Sequence, residues 1–133
     1  MSTDSAGATV LFVDDEPALR TVIAIMLRRA GYRVIEAASG EEALALFEQH
    51  AGEIRIVISD ILMPGMHGPD LVQRLLNVQP DLCVLFVSGY AWSLPSALMQ
   101  RDRVAFLAKP FTVGQLISEV QQLAARAWET SKV

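Results

Sequence analysis

A single cysteine, Cys83, stands among the 133 residues of this chain. It excludes an internal disulfide and fits a reducing compartment. It lies within an apolar run, so it reads as inert core rather than as a reactive thiol. Basic charge is also scarce: 11 Lys and Arg face 15 Asp and Glu, a formal net charge of −4. That balance argues against a nucleic-acid surface, which would carry a basic patch. No stretch approaches the roughly 18 consecutive apolar residues of a membrane helix. Residues 1–7 have neither a basic start nor an apolar run. They are expected to be a short flexible lead rather than a secretory signal. A cytoplasmic protein with no membrane partner is the simplest expectation.

What the chain does have is hydrophobic content, at 52%, enough to fill the core of one domain. Strand-like and helix-like segments alternate along it. The strand-like runs are residues 9–13, 33–37, 54–59, 82–87 and 104–108. Between them come apolar stripes at helical spacing: Leu19, Val22, Ile23, Met26 and Leu27, then Ala43, Leu44 and Phe47, then Leu71, Val72, Leu75 and Leu76. Pro17 suits a first helical turn and Gly31 a helix stop. Ser39 with Glu42, and Thr112 with Gln115, are spaced as capping boxes. The fourth helix, predicted over 94–101 with Pro95 in its first turn, is weak, with apolar cover from Ala97, Leu98 and Met99 alone. The fifth carries Leu116, Ile117, Val120, Leu123, Ala124 and Ala127. Five strands alternating with five helices predict a doubly wound α/β domain, a parallel sheet covered on both faces. Its expected extent is 8–128, with 129–133 as a polar tail.

Four of the strand-like runs end in polar residues: Asp14-Asp15, Asp60, Ser88 and Lys109. In the flavodoxin-like strand order 2-1-3-4-5, strands one and three flank the topological switch point, and ligands bind outside their carboxyl ends. Three carboxylates there repel one another, a penalty that a bound magnesium ion removes. Each residue taken alone has a plainer reading. Asp14-Asp15 could cap the first helix, Lys109 could be a solvated surface lysine, and Ser88 a turn residue. The convergence of all five at one sheet edge favours a site for a divalent metal and a phosphoryl group.

Four blocks, residues 12–17 (FVDDEP), 60–68 (DILMPGMHG), 87–91 (VSGYA) and 106–111 (FLAKPF), resemble the receiver domain of two-component response regulators. The resemblance covers about residues 8–128. It implies that Asp60 is the phosphoryl acceptor, and that Asp14, Asp15, Asp60 and the backbone carbonyl of Leu62 hold magnesium. It further implies that Lys109 and Ser88 contact the phosphoryl oxygens, with a cis Lys109–Pro110 bond aiming the amine. Ser88 and Phe106 are the implied switch pair, although by pattern alone Phe106 is a core aromatic, buried or half-buried. The positions that tune phosphoryl lifetime would be Leu62 and Tyr90. Neither is an acid or amide that could orient water, so slow self-dephosphorylation is expected.

The implied donor is a sensor histidine kinase or a histidine phosphotransfer protein. The output would pass by contact to another protein, with a homodimer through helices four and five as one arrangement. The chain would assist its own phosphorylation without being a turnover enzyme on other substrates. Two competing functions are a phosphorylation-independent binding module and a metal-dependent phosphatase with an Asp nucleophile. The second would want an acid two residues after Asp60, where Leu62 stands. His67 has no partner at ligand spacing and is expected to face solvent. His50 is expected to cap a helix C-terminus when protonated, Met63 and Met66 to pack under their loop, and Tyr90 with Trp92 to offer a partner surface.

Overall fold

The structure, a computed structural model, describes residues 8–89 and 94–132, with side chains as far as Arg126. Tyr90 and Trp92, like residues 1–7, lie outside the described residues. The strands are β1 (Thr9–Val13), β2 (Arg33–Ala37), β3 (Ile54–Asp60), β4 (Cys83–Ser88) and β5 (Val104–Ala108). They alternate with α1 (Pro17–Arg29), α2 (Gly40–Gln49), α3 (Gly68–Val78), α4 (Ser96–Met99) and α5 (Val113–Lys132). Every strand pair is parallel and the order is β2-β1-β3-β4-β5, the flavodoxin-like arrangement that the sequence predicts.

Because side chains alternate across a strand, each inner strand feeds two cores. Leu11, Val13, Val57, Val84 and Phe86 face a layer containing Ala43, Phe47, Leu71, Leu75 and Leu98. Val10, Phe12, Ile56, Ile58, Leu85 and Val87 face Ile23, Leu27, Leu116, Val120 and Leu123. So α2, α3 and α4 cover one face of the sheet, and α1 and α5 the other. Cys83 is fully buried in the second layer, and its thiol donates to the Leu123 carbonyl at 3.4 Å. Burial pushes that thiol upward, consistent with an inert group.

The Thr112–Gln115 capping box forms in full, and the Ser39–Glu42 box forms with its return bond shifted to the residue before the cap. The Ser39 hydroxyl accepts from the Glu42 amide, and Glu42 reaches back to the Ala38 amide. Thr112 and Gln115 exchange bonds reciprocally. Gly31 closes α1 with a φ of 102°, the left-handed stop that glycine favours. His50 caps the C-terminus of α2, with Nδ1 3.7 Å from the Glu53 carboxylate.

Three details differ from the sequence reading. Val22 is 46% exposed, and Ala24 takes its place on the buried face of α1. The fourth helix is a single turn, Ser96–Met99, with Pro95 preceding it at an extended ψ of 134° rather than lying inside it. Only Leu98 of that turn is buried, too little apolar cover to hold a longer helix. α5 continues as helix to Lys132, past the last residue of its apolar stripe.

Candidate functional site

The carboxyl edge of the sheet is built by backbone bonds that run one step beyond the strands. The Asp14 amide donates to the Ala37 carbonyl at 3.1 Å, continuing the β1–β2 ladder. The Lys109 amide donates to the Ser88 carbonyl, also at 3.1 Å, continuing β4–β5. Asp60 is the last residue of β3, paired with Val87. Asp14, Asp60, Ser88 and Lys109 are thus fixed by sheet register, the stiffest scaffold the fold offers. Burial follows: Ser88 is 2% exposed, and Asp14 at 0% and Asp60 at 8% are unusually buried for carboxylates.

Carboxylate oxygens of Asp14, Asp15 and Asp60 lie within 4.8 Å of one another. Lys109 Nζ donates to Asp60 Oδ2 at 3.0 Å and stands 3.7 Å from Asp14 Oδ2. Asp60 Oδ1 accepts from the Ile61 amide at 2.7 Å. Asp14 Oδ1 accepts from the Glu16 amide at 2.9 Å. Glu16 is itself the residue before α1, so this bond shapes the turn and does not satisfy an amide inside the helix. Asp14 Oδ2 has no hydrogen-bond partner although it is buried. Burial drives the Asp14 carboxyl above its ordinary range, against the pull of the Glu16 amide and of Lys109. Burial disfavours the Lys109 ammonium, but the hydrogen bond and charge of Asp60, with the charge of Asp14, outweigh it and hold the amine above its usual value.

A buried carboxylate oxygen without a donor is costly unless something cationic meets it. The donor set is all oxygen, hard and anionic, which suits magnesium better than a softer metal. The residues therefore fit the divalent ion. Lys109 adds a fixed positive charge beside the same carboxylates, and its bond to Pro110 is cis.

Of the residues read from the sequence, Asp14, Asp15, Asp60 and Lys109 come together. Ser88 sits at the same edge on β4. Leu62 follows Asp60 with its side chain 41% exposed. Phe106, in mid β5, is half-buried and packs against the α2–α3 core layer. His67 is exposed, Met63 is 1% exposed, and Met66 packs half-buried under the loop. Five residues have supporting roles that escaped the sequence reading. Arg20 Nη1 donates to the Asp14 carbonyl at 2.7 Å, and Glu36 holds the same guanidinium at 3.7 Å. The Ser59 hydroxyl donates to the Asp60 carbonyl at 2.8 Å. Gly68 passes so close to that carbonyl that a Cβ there would lie 2.1 Å from its oxygen. His67 Nδ1 accepts from the Met63 amide at 3.2 Å. None carries a sequence signal, because each contact depends on where the folded chain carries its groups rather than on residue spacing.

An acidic cluster at the switch point of this fold, with a lysine from the end of β5, defines a receiver domain. The sequence profile of the response regulator receiver domain matches residues 10–121, and the chain belongs to that family. It is 44% identical over 124 residues to the sensor kinase CckA of Brucella abortus, an alignment covering 92% of this chain and 13% of that kinase. The crystal structure of the receiver domain from the hybrid histidine kinase CckA matches with a TM-score of 0.76 at 41% identity, over 87% of this chain and 98% of that one. The response regulator TrrA of Thermotoga maritima, solved in complex with Mg2+-BeF, matches with a TM-score of 0.74 at 30% identity, over 86% of this chain and 97% of that one. Receiver domains are signalling switches rather than metabolic enzymes. Among the described residues, no helix is long and apolar enough to cross a membrane.

Proposed function

We propose that this chain is a magnesium-dependent phosphoacceptor switch, in which Asp60 takes a phosphoryl group from a phosphohistidine of a sensor kinase or histidine phosphotransfer protein. The observation that carries the reading is the 3.0 Å pairing of Lys109 with Asp60, beside a buried Asp14 oxygen that has no donor. A carboxylate oxygen of Asp60 attacks phosphorus. The new P–O bond forms as the donor's P–N bond breaks, and the departing imidazole keeps the electron pair. Magnesium bound by Asp14, Asp15, Asp60 and the Leu62 carbonyl would neutralise the carboxylates and the phosphoryl oxygens.

Lys109 supplies the remaining positive charge from the protein itself. Ser88, at the end of β4, would bond a phosphoryl oxygen, and half-buried Phe106 on the neighbouring β5 would be the group that responds. Signalling is by protein contact, in the cytoplasm. Leu62 offers no acid or amide to orient an attacking water, so the aspartyl phosphate is expected to be long-lived.

The test is intact mass after incubation with magnesium and acetyl phosphate. A phosphate-sized gain is expected from the wild type with magnesium. None is expected from Asp60→Asn, or from the wild type with excess chelator. No gain in a wild-type protein shown to bind magnesium would favour the phosphorylation-independent module.

A further inference from the structure

The loop that leaves Asp60 is tied across itself twice. The Gly68 amide donates to the Ile61 carbonyl at 2.8 Å, and the Met63 amide donates to His67 Nδ1 at 3.2 Å. The His67 carbonyl in turn accepts from the Leu71 amide at 3.1 Å as α3 begins. His67 is thus anchored by its backbone to the first turn of a packed helix, while its ring reaches back over the loop. With Nδ1 acting as acceptor, the neutral ring carries its proton on Nε2.

The second tie has a consequence for the metal site. The Met63 amide and the Leu62 carbonyl belong to one peptide unit. In a trans peptide the N–H and C=O are coplanar and point in opposite directions, and among the described residues the only cis bond is Lys109–Pro110. Holding the Met63 N–H on His67 therefore fixes the direction of the Leu62 carbonyl. The Leu62 side chain cannot supply that anchor, since it is 41% exposed. Beyond it the chain is pinned by Met63, 1% exposed, and turned by Gly65 at a φ of 76°. Before it the chain is pinned by Ile61, also 1% exposed. The 62–63 peptide joins the exposed Leu62 to the buried Met63, and the ring nitrogen is the side-chain group that bonds it.

We infer that His67 is a positioning residue for the metal site, acting through the Leu62–Met63 peptide to hold the Leu62 carbonyl ready for a divalent cation. The inference rests on the metal reading under Proposed function. It differs from a simple helix-cap role, which would affect folding stability without selectively changing cation affinity.

Calorimetric titration with magnesium chloride, in the absence of any phosphodonor, tests it. His67→Ala and His67→Leu lack the acceptor and are expected to bind magnesium about tenfold more weakly, the scale seen when a ligand loses its outer-shell partner. His67→Asn keeps an acceptor oxygen near the place of Nδ1 and is expected to stay within about threefold of wild type. In hydrogen exchange, the Met63 amide should be protected in the wild type and His67→Asn, and exposed in His67→Ala. Asp14→Asn serves as the reference and should lose most of the affinity. Wild-type affinity in both His67→Ala and His67→Leu, with Asp14→Asn impaired, would overturn the positioning role alone. So would equal weakening in His67→Asn and His67→Ala. Undiminished binding by Asp14→Asn would overturn the metal reading, and the inference with it.

Discussion

Gly68→Ala is expected to lose about 3 kcal/mol of stability and to lower phosphoryl uptake at Asp60 with it. The cause is space rather than backbone freedom, since Gly68 is not among the glycines with positive φ. A Cβ at Gly68 would sit 2.1 Å from the Asp60 carbonyl oxygen, 3.1 Å from its carbon and 3.0 Å from Ser59 Oγ. An ordinary contact needs more than 3 Å, so either α3 or the end of β3 must move by about an ångström. Neither moves easily. α3 is held by Leu71, Val72, Leu75 and Leu76, all buried, and β3 is the central strand. The same displacement would carry the Asp60 side chain away from Lys109. Chemical denaturation should show the loss as a lower midpoint with an unchanged slope. Gly114→Ala is the control: the nearest atom to a Cβ there is Thr112 Oγ1 at 3.8 Å, an ordinary contact. Within α5 that change is expected to be neutral or mildly stabilising. A Gly68→Ala protein as stable as wild type would contradict the close approach.

The second large effect concerns Asp14. Asp14→Asn is expected to stabilise the metal-free protein by about 1–2 kcal/mol and to abolish stabilisation by magnesium. In the folded chain the carboxyl is fully buried, with Oδ2 lacking a donor, so its pKa lies above the ordinary value. A carboxyl with a raised folded pKa binds its proton more tightly folded than unfolded. Without metal, stability therefore falls as pH rises from the ordinary carboxylate range through the raised folded value, and it stays lower above that point. Asparagine carries no charge and removes that slope. Magnesium restores the stability of the wild type by meeting the buried charge, which mass action reads as a higher melting temperature. Melting curves at neutral pH, with and without magnesium, should show the wild type rising on addition and Asp14→Asn already high and unmoved. A wild type that gains nothing from magnesium, or an Asp14→Asn protein less stable than metal-free wild type, would count against this view of the site.

Much of this arrangement was legible in the sequence for a physical reason. A parallel sheet covered on both faces makes its inner strands continuously apolar, so the runs ending at Val13, Ser59 and Val87 announce themselves. The polar residue that follows each run then falls at the carboxyl edge, and the sheet register does the rest. Asp14, Asp60, Ser88 and Lys109 needed no knowledge of loop paths. Phe106 was correctly expected to be at least half-buried because it lies in mid strand. The fourth helix was less legible: a short stretch with only Leu98 buried has too little periodicity to mark its ends, and Pro95 fits a first turn as readily as the position before it. Val22 misled because five apolar residues were available for a face that buries fewer. Arg20, Ser59, His67 and Gly68 were illegible for a common reason. Each acts through a backbone group of a residue distant or merely adjacent in sequence, and no spacing rule encodes where a carbonyl points.

The most direct measurement locates the phosphoryl group itself. The protein is incubated with magnesium and acetyl phosphate, then treated with borohydride, which reduces an aspartyl phosphate to homoserine. Peptide mapping by mass then reads the converted position. Homoserine at Asp60 alone, lost when magnesium is chelated, is the predicted result. Homoserine at Asp14 or Asp15, or a magnesium-independent phosphoryl group on a residue outside the cluster, would contradict it.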